Sequence, residues 1–375
     1  MKIAFLIGEI KINAGQTNNI IEVVNYLIKN FSNCEITIYT PKIGAREYEL
    51  FSNSRVGIKK INQYYRCMLF RKNLANELKQ YDLIYVKGSF PYIYPATKSG
   101  KPNILVLHHM DSPKLFPTVS QKIMTIAANF LTGFVIKKPT EVITVSEELR
   151  QFYKQKYGRE VYVIGDQISD IFFEPFNRTF PSNTDEVRLL SVGYWDGYNG
   201  RKRQHLLLSY FKDVLSVYRN AHLFLVGLGE SEISELARIT KFLGISNNVT
   251  LEGYLPLVEL KNMYLSKHIY VTATTFEGFY RQEVEALAMG MPVLAFDSRE
   301  IVKNSSACAS VNHVIKSNAG KLYKDSKSMI KGIKDIFEQY ETLSSNGKTY
   351  ATRYSSEVVG KRSAELIKKL VNTSA

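Results

Sequence analysis

Two glutamates, Glu277 and Glu285, stand eight residues apart where a strand, a loop and a helix are expected to follow one another. The strand is predicted to end near Thr272 and the helix to begin near Gln282. Carboxylates eight positions apart on one continuous helix would be separated by about 12 Å, but the loop between these two can change that distance. We therefore assign them separate tasks. The carboxylate on the helix can accept both hydroxyls of a ribose, and the one on the loop can reach a sugar.

The start of this predicted helix is also suited to an anion. A loop containing Gly278 leads into it, and the first turn of a helix presents unpaired N–H groups and the positive end of the helix dipole. A nucleotide diphosphate would fit there. The helix is expected to end at Gly290, with Pro292 just beyond it. Taken alone, two glutamates at this spacing are typical of solvated side chains, so the surrounding sequence decides the interpretation.

The composition limits the class of protein. The chain has 375 residues, of which 45% are hydrophobic and 22% charged, values typical of a soluble globular protein with two domains. Its net charge of +14 favours anionic partners such as nucleotide phosphates, lipid pyrophosphates, acidic membrane surfaces or nucleic acid. Three scattered cysteines argue against a disulfide framework and indicate a reducing compartment. We expect a cytoplasmic protein, because the apolar start is too short for a signal peptide.

Short apolar strands alternate with helices in two series, which indicates an α/β fold with parallel sheets covered on both faces. The predicted strands are Ile3–Ile7, Ile36–Tyr39, Leu83–Val86, Ile104–Leu107, Val142–Val145 and Val161–Ile164, then Leu189–Val192, Leu223–Val226, Val249–Leu251, Ile269–Thr272 and Val293–Phe296. We predict a Rossmann-like acceptor-binding domain over 1–170, a linker over 171–187, a Rossmann-like donor domain over 188–354, and a C-terminal helix over 355–375 that packs back on the first domain. In such doubly wound domains ligands bind outside the carboxyl ends of the strands, so the site is expected in the cleft between the facing domains.

The residues from Glu277 to Val293 read Glu-Gly-Phe, five residues, then Glu-Ala-x-Ala-x-Gly-x-Pro-Val. This pattern resembles the signature of the retaining glycosyltransferase family GT4, which has the GT-B fold. The resemblance extends to other segments of the second half, namely Ser191–Gly193, Lys202, the turn Leu225–Gly229 and the strand Asn248–Tyr254. It covers nearly the whole chain, closely after Arg188 and loosely before it.

The resemblance implies a role for each matching residue. Glu285 would bind the ribose hydroxyls, Glu277 would contact the donor sugar near its reacting carbon, and Lys202 would neutralise the leaving pyrophosphate. Backbone N–H groups around Gly278 and Phe279–Arg281 would hold the phosphates. The implied co-substrate is a UDP- or GDP-sugar. Retaining members need no metal or other cofactor, and the chain has no Asp-x-Asp metal motif.

The chain departs from the family pattern at two places. The family usually has arginine directly after the glycine of the first strand of the second domain, but here Tyr194 follows Gly193. The small residues that usually follow Glu-Gly-Phe are replaced by Tyr280, Arg281 and Gln282. The missing positive charge has three candidate sources elsewhere in the segment: Arg201, Arg203 and Arg281.

Three positions in the first half match the family more loosely. Gly15 stands where members usually carry a glycine pair close to donor and acceptor, and a plain turn is the alternative. His108 stands where members often place a histidine near the donor sugar, and a solvent-exposed loop histidine is the alternative. Ser146 is predicted to cap the N-terminus of the following helix.

Two segments of the first half raise the question of membrane contact. Arg55–Lys72 carries six basic residues, no acidic residue and interleaved aromatic side chains; it fits an anionic membrane surface, nucleic acid or a solvated face. Ile123–Ile136 is the longest apolar run, too short to span a bilayer. We expect it to be a buried helix, with contact to a membrane as the alternative.

The sequence therefore predicts a retaining hexosyltransferase that uses a nucleotide sugar and a glycan or lipid-linked acceptor, in cell-surface glycan or N-glycan assembly. Peripheral contact with the inner face of an anionic membrane is expected through Arg55–Lys72. A nucleotide-sugar epimerase of the same fold is the main alternative, since it shares the architecture but not the paired glutamates with Lys202. A nucleic-acid-binding protein is favoured by charge alone, and we expect no nucleic-acid partner.

Overall fold

The computed structural model describes residues 1–10, 15–44, 49, 51, 53–61, 71–87, 90–108, 118–178, 186–302 and 308–373. The chain divides into two compact units. The first unit is Met1–Gln167 together with Tyr354–Ala375, and the second is Ile168–Arg353.

The first unit is built on a parallel sheet of seven strands in the order β3-β2-β1-β4-β5-β6-β7. The strands are β1 (Lys2–Ile7), β2 (Glu35–Thr40), β3 (Val56–Lys60), β4 (Leu83–Lys87), β5 (Asn103–Leu107), β6 (Glu141–Thr144) and β7 (Tyr162–Val163). The helices described between them are α1 (Gly15–Asn30), α2 (Arg71–Leu78), α3 (Phe90–Lys98), α4 (Val119–Val135) and α5 (Glu147–Tyr157). Strands β1, β4 and β5 are almost completely buried because helices cover both faces of the sheet, which explains their nearly continuous apolar sequences.

The order of this sheet reverses between β1 and β4. Strand β1 pairs with β2 on one side and with β4 on the other, so the chain leaves β1 in one direction and later returns to its opposite edge. In open parallel sheets such a switch point opens a crevice at the carboxyl ends of the strands.

The predicted cap of α5 is confirmed, since Ser146 Oγ accepts a hydrogen bond from Leu149 N at 3.3 Å.

The expectation that Ile123–Ile136 forms a buried helix is wrong. Helix α4 exposes a row of large apolar side chains, and its buried residues include two threonines, Thr125 and Thr132. A count of apolar residues cannot say which face of a helix packs, and here the packed stripe is narrow and partly polar. Among the described residues, no helix is long and apolar enough to cross a membrane.

The second unit repeats the design with six parallel strands in the order β10-β9-β8-β11-β12-β13. They are β8 (Arg188–Val192), β9 (His222–Val226), β10 (Val249–Glu252), β11 (Ile269–Thr272), β12 (Val293–Phe296) and β13 (Gly320–Tyr323). The helices are α6 (Gln204–Val217), α7 (Glu230–Leu243), α8 (Leu257–Ser266), α9 (Arg281–Ala288), α10 (Arg299–Val302), α11 (Ala309–Ser317), α12 (Ser326–Glu338) and α13 (Tyr340–Ala351). The switch point of this sheet lies between β8 and β11, which pair directly.

Helix α9 ends as its sequence predicts. Gly290 adopts a left-handed conformation with φ of +66°. Met291 N donates to Ala286 O at 2.9 Å and Gly290 N to Leu287 O at 2.9 Å, which is the hydrogen-bond pattern of a Schellman motif. The chain therefore turns sharply into β12, and α9 is fixed at its far end while its N-terminus faces the loop that contains Glu277.

The last helix, α14 (Lys361–Asn372), belongs to the first unit. It follows a short π-helix, Ser356–Gly360. Its residues Ile367 and Leu370 are buried in the same cluster as Ile3 and Phe5 of β1. The first unit is therefore discontinuous in sequence, because part of its core comes from residues beyond the second unit.

Candidate active site

Glu277 lies in the loop between β11 and α9, at the carboxyl edge of the second sheet. Its backbone carbonyl accepts a hydrogen bond from Ala309 N at 3.2 Å. Lys202 Nζ lies 2.8 Å from one carboxylate oxygen, and Arg201 Nη1 lies 3.2 Å from the other. Two neighbouring cations thus hold the two oxygens of one mostly buried carboxylate.

The loop that carries these cations is fixed by backbone hydrogen bonds. The Asp196 carboxylate accepts from Arg201 N at 2.8 Å and from Lys202 N at 3.1 Å. Thr275 N donates to Arg201 O at 2.9 Å. The loop after β8 is therefore tied to the loop after β11, and the cations meet Glu277 because their strands are adjacent at the switch point.

Lys202 remains a cation in this environment although only 6% of its side chain is exposed. Burial acts to lower the pKa of its ammonium, but Glu277 and Tyr280 outweigh that effect, and the net pKa is raised. Its Nζ also lies 4.0 Å from the centre of the Tyr280 ring, a distance at which a cation is attracted to the π face. The Tyr280 side chain, which departs from the family pattern, thus supports the ammonium.

Two glycines bring the backbone close to this lysine. Gly193, after β8, has φ of +145°, and a Cβ placed on it would lie 3.8 Å from Lys202 Nζ. Gly227, after β9, has φ of +92°, and a Cβ there would lie 3.4 Å from Gly193 N. Positive φ and tight backbone approach both favour glycine. The absence of side chains at these two positions therefore lets the backbone lie close to Lys202.

Of the three arginines considered as the missing charge, the structure brings Arg201 to Glu277. Arg201 Nη2 donates to the Tyr194 hydroxyl at 2.7 Å, so the tyrosine that follows Gly193 positions an arginine from the next loop. Arg203 adopts a left-handed conformation immediately before α6. Arg281 points elsewhere, to a second pair on α9.

That second pair joins Arg281 and Glu285, four residues apart on α9. Arg281 Nε lies 3.0 Å from Glu285 Oε1, and the Tyr264 hydroxyl donates to Oε2 at 3.1 Å. Both side chains of the pair are almost fully buried. A carboxylate can accept several hydrogen bonds, and these two contacts help to fix the orientation of Glu285.

The remaining residues of the predicted segment lie beside these groups. Gly278 is half-buried in the loop. The Phe279 ring lies edge-on to His313, with ring centres 5.1 Å apart. Burial lowers the pKa of His313 to about 3, and its Nδ1 lies 2.8 Å from the Tyr350 hydroxyl. His313 is thus a neutral packing partner of the loop at physiological pH.

Glu283 is a site residue that the sequence reasoning missed. It lies in the first turn of α9 and is completely buried. Burial raises the pKa of its carboxyl well above the ordinary range, and the Ser310 hydroxyl and the Lys202 ammonium only partly oppose this. Burial therefore favours the neutral form of this carboxyl. A glutamate at an inward position of an otherwise apolar helical pattern was the signal that could have revealed it.

The first unit places Gly15 and His108 at the carboxyl edge of its own sheet. Gly15 is the first residue of α1, and Ala14 lies outside the described residues. His108 is half-buried directly after β5, and its neighbour His109 lies outside the described residues. These positions follow strands at the edge where ligands of parallel sheets bind.

A buried polar cluster at this edge was not predicted. The Lys87 ammonium, at the end of β4, donates to Asn19 Oδ1, and Asn19 Nδ2 donates to Asp166 Oδ1. All three side chains are buried. They come from α1, β4 and the segment after β7, beside the switch point. A lysine at the end of an otherwise apolar strand was the available signal.

The basic segment Arg55–Lys72 is only partly described, since residues 62–70 lie outside the described ranges. Arg55 donates to the carbonyl oxygens of Ile28, Phe31 and Ser32. Lys59 forms an ion pair with Glu77. Two of its basic side chains therefore make contacts within the first unit.

In the described part of the chain no group of three or more His, Cys, Asp or Glu side chains is placed to hold a metal ion.

Two family models match the chain, one in each half. The model "Glycosyltransferase Family 4" matches residues 14–166, and the model "Glycosyl transferases group 1" matches residues 174–350. An uncharacterized glycosyltransferase of Methanocaldococcus jannaschii is 28% identical over 149 residues, which are 39% of this chain and 34% of the relative. Another from Haemophilus influenzae is 24% identical over 237 residues, 62% of this chain and 61% of the relative. The chain thus spans about a third and about three fifths of these two relatives.

The fold is shared with solved structures of known proteins. The Anabaena protein HepE, solved in complex with UDP, superposes with a TM-score of 0.75 at 18% identity, covering 98% of this chain and 100% of that one. Its complex with UDP-glucose gives a TM-score of 0.75 at 19% identity. At this identity the likeness establishes the architecture of two Rossmann-like domains, and the chemistry has to be argued from the side chains.

Proposed function

Since this chain belongs to the glycosyltransferases of the GT-B class, we propose that it transfers a hexose, with retention of configuration, from a UDP- or GDP-sugar to a glycan or lipid-linked acceptor. The reaction would serve the assembly of a cell-surface glycan or N-glycan on the cytoplasmic side of a membrane. The proposed donor is consistent with the UDP and UDP-glucose complexes of HepE.

The observation that carries this proposal is the convergence of Lys202 and Arg201 on Glu277, at 2.8 and 3.2 Å. In the transfer the bond between the anomeric carbon and the pyrophosphate oxygen breaks, a bond from that carbon to the oxygen of an acceptor hydroxyl forms, and the proton of that hydroxyl passes to the leaving pyrophosphate. Negative charge grows on the leaving pyrophosphate. The two cations and the N-terminus of α9 would stabilise that charge, and fixed groups of this kind are each worth about 3–4 kcal/mol.

Glu277 is proposed to have two roles, one without a ligand and one with a bound donor. Without a ligand its carboxylate neutralises Lys202 and Arg201, so the cations are held in place at low cost in repulsion. When a pyrophosphate enters, the cations turn toward the phosphate oxygens. The carboxylate would then exchange these contacts for hydroxyls of the donor sugar near its reacting carbon. Asp196 is not displaced, because its oxygens are bound to two backbone N–H groups.

Glu285 is proposed to bind the two ribose hydroxyls of the nucleotide. Arg281 and Tyr264 fix its orientation, and a carboxylate is able to accept both hydroxyls of a diol. His108 and Gly15, from the first unit, are proposed to complete the sugar and phosphate sites.

The proposal is tested by incubating the protein with a panel of UDP- and GDP-sugars and measuring released nucleotide and transferred sugar. We expect one donor to be used, and Glu285→Ala to raise its KM strongly. The matched control is Glu230→Ala, which removes an exposed glutamate at the start of α7 and should change nothing. Donor use that survives Glu285→Ala unchanged would contradict the assigned site.

The products separate the competing reactions. NMR of the new glycosidic bond is expected to show the anomeric configuration of the donor, and inversion would refute the retaining mechanism. Release of an epimerised sugar without transfer would instead show a nucleotide-sugar epimerase. Binding to oligonucleotides without affinity for any nucleotide sugar would show a nucleic-acid-binding protein.

A further inference from the structure

Helix α4 of the first unit carries its apolar side chains on the outside. Its large exposed residues are Val119, Ile123, Met124, Ile126, Phe130, Leu131 and Phe134. Met124 is 71% exposed and Phe130 66%. Large apolar residues scattered singly on a surface are ordinary, but a contiguous patch of this kind marks an interaction site.

The helix is held to the first unit by a narrow and partly polar stripe. Thr125 and Thr132 are buried, seven residues apart, which places them on one side of the helix after two turns. The Thr132 hydroxyl donates to Ala128 O within the helix at 2.8 Å. At the C-terminal half, the Tyr157 hydroxyl donates to Asn129 O at 3.0 Å. The hydrogen bond from Tyr157 joins α4 to α5, and the apolar side of α4 faces outward.

A groove of about 360 Å³ runs beside this half of the helix, lined by Asn129, Phe130, Gly133, Phe134, Lys156 and Tyr157. The rings of Phe130 and Phe134 contact each other edge-on, with centres 4.8 Å apart. Gly133 lets the helix approach α5, because a Cβ there would lie 3.3 Å from the Tyr157 ring. The patch is therefore a ridge of aromatic and aliphatic side chains with a shallow groove along one flank.

Along α4 and the residues that directly follow it, the charges have one sign. The sequence from Val119 to Thr140 contains Lys122, Lys137 and Lys138 and no acidic residue, and all three lysines are exposed. Lys156, on α5, lies over the rings of Phe152 and Tyr157. Apolar residues flanked by lysines are the pattern of a helix that lies in the plane of a membrane surface, where the lysines reach the headgroups.

We propose that the outward face of α4 docks the protein on an anionic lipid bilayer, with Ile123, Met124, Phe130 and Phe134 inserted into the boundary between headgroups and acyl chains. The lysines at both ends of the helix pair with anionic headgroups. The net charge of +14 adds a long-range attraction to such a surface. This surface differs from the Arg55–Lys72 segment, of which Arg55 and Lys59 are engaged within the first unit.

The proposal does not depend on the transfer reaction, because it concerns lipid binding by the protein without donor or acceptor. The probe is flotation with vesicles of phosphatidylcholine alone or of phosphatidylcholine mixed with phosphatidylglycerol. We expect the full chain to float with the mixed vesicles and to be released by high salt. Equal binding to both kinds of vesicle would overturn the assignment of an anionic surface.

The apolar contribution is tested by the double variant Phe130→Ser with Phe134→Ser. Loss of two inserted rings is expected to weaken binding to mixed vesicles by at least about tenfold. The matched control is Phe242→Ser with Val258→Ser, which removes two exposed apolar side chains of the second unit, 89% and 61% exposed, and should leave binding unchanged. If the first double variant fails to fold, Ile123→Ser with Met124→Ser repeats the test on the preceding turns.

The charge contribution is tested by Lys137→Gln with Lys138→Gln. We expect this variant to lose most of its preference for mixed vesicles, whereas Lys59→Gln with Lys60→Gln should keep it. The opposite result would move the docking surface to the Arg55–Lys72 segment and overturn the proposal.

Sedimentation tests whether a second copy of this chain, instead of a membrane, covers the outward face of α4. If the protein forms a dimer that Phe130→Ser with Phe134→Ser converts to a monomer, the ridge is an interface between two copies, and the proposal is wrong.

Insertion of α4 into the bilayer is measured with Phe130→Trp. Its added fluorescence, above that of the buried Trp195, should shift to the blue and be quenched by brominated lipid only with mixed vesicles. Hydrolysis of the donor, measured in the same preparations without vesicles, shows separately whether the proposed reaction holds.

Discussion

The carboxyl edges of the two parallel sheets both carry a cluster of charged groups, but the two clusters differ in their exposure to solvent. In the second unit Lys202 and Arg201 meet Glu277 beside Gly193, and Arg201 remains 30% exposed. In the first unit Lys87, Asn19 and Asp166 are linked in a chain of hydrogen bonds and are sealed from solvent. Both clusters lie beside a switch point, where a ligand is expected. The difference shows that a place beside a switch point is not sufficient for ligand binding. A charged side chain there also has to be accessible to the ligand and able to exchange its ion-pair partner for it.

The largest effect is expected from Lys87→Met. The substitution removes the cation of a sealed cluster and leaves the buried Asp166 and Asn19 without it. Leaving a buried hydrogen-bond acceptor unsatisfied costs up to about 3 kcal/mol, and more where charged groups are involved, so the free energy of unfolding of the first unit should fall by at least that amount in urea denaturation. Turnover per folded molecule should hardly change.

The control is Lys331→Met, which removes the exposed partner of Asp335 on α12. Such surface pairs contribute less than about 1 kcal/mol. If Lys87→Met abolishes turnover while the protein stays as stable as the wild type, the cluster of the first unit is a ligand site and the contrast between the two edges disappears.

A slightly smaller effect is expected from Lys202→Met, and it should appear in catalysis. Removing one fixed charge from a leaving-group site lowers kcat by about 10²–10³-fold. The stability should change little, because Arg201 still pairs with Glu277 at 3.2 Å. The measurement is steady-state turnover with the accepted donor, and Lys212→Met, on the exposed side of α6, serves as the control. A loss of stability comparable to that of Lys87→Met would show that Lys202 too is structural.

The smallest effect is expected from Glu283→Gln and depends on pH. Since burial raises the pKa of Glu283 in the folded protein, the folded state holds this proton over a range in which the unfolded chain has released it. The wild type therefore loses stability as the pH rises above about 4.3, the ordinary pKa of glutamate. Glutamine carries no such proton, so the variant should gain on the wild type by up to about 1.4 kcal/mol per pH unit in that range.

Urea unfolding of both proteins from about pH 5 to about pH 7 measures this difference. Glu230→Gln, at an exposed position of α7, should run parallel to the wild type. A constant gap between Glu283→Gln and the wild type over this range would show that Glu283 is ionised in the folded protein.

Much of the fold could be predicted because buried parallel strands have nearly continuous apolar sequences, as in β1, β4 and β5. Strand β3 was missed because it lies at an edge and alternates little, with Gly57, Lys59 and Lys60 exposed. Strand β13 was missed because glycine and lysine open it. The orientation of α4 could not be predicted, since it depends on which side its neighbours cover.

The part of the candidate site that could be predicted consists of residues close to one another in the sequence or joined by a family pattern. Glu277 and Glu285 belong to one strand-loop-helix segment, and a family pattern joins Lys202 to them. The partners that fix these side chains are distant in sequence: Tyr264 lies 21 residues before Glu285, and Asp166 lies 147 residues after Asn19. Such pairings follow from sheet topology, which a single sequence specifies only through the complete fold.

The position of α14 sets the order in which this protein can fold as it is made. The ribosome completes every strand of the second unit before it reaches Lys361–Asn372, whose Ile367 and Leu370 fill the core of the first unit. Domains generally fold during synthesis from the N-terminus onward, but here the earlier unit has to wait with an incomplete core. The core of the first unit is therefore complete only after residues that follow the whole second unit have been synthesised.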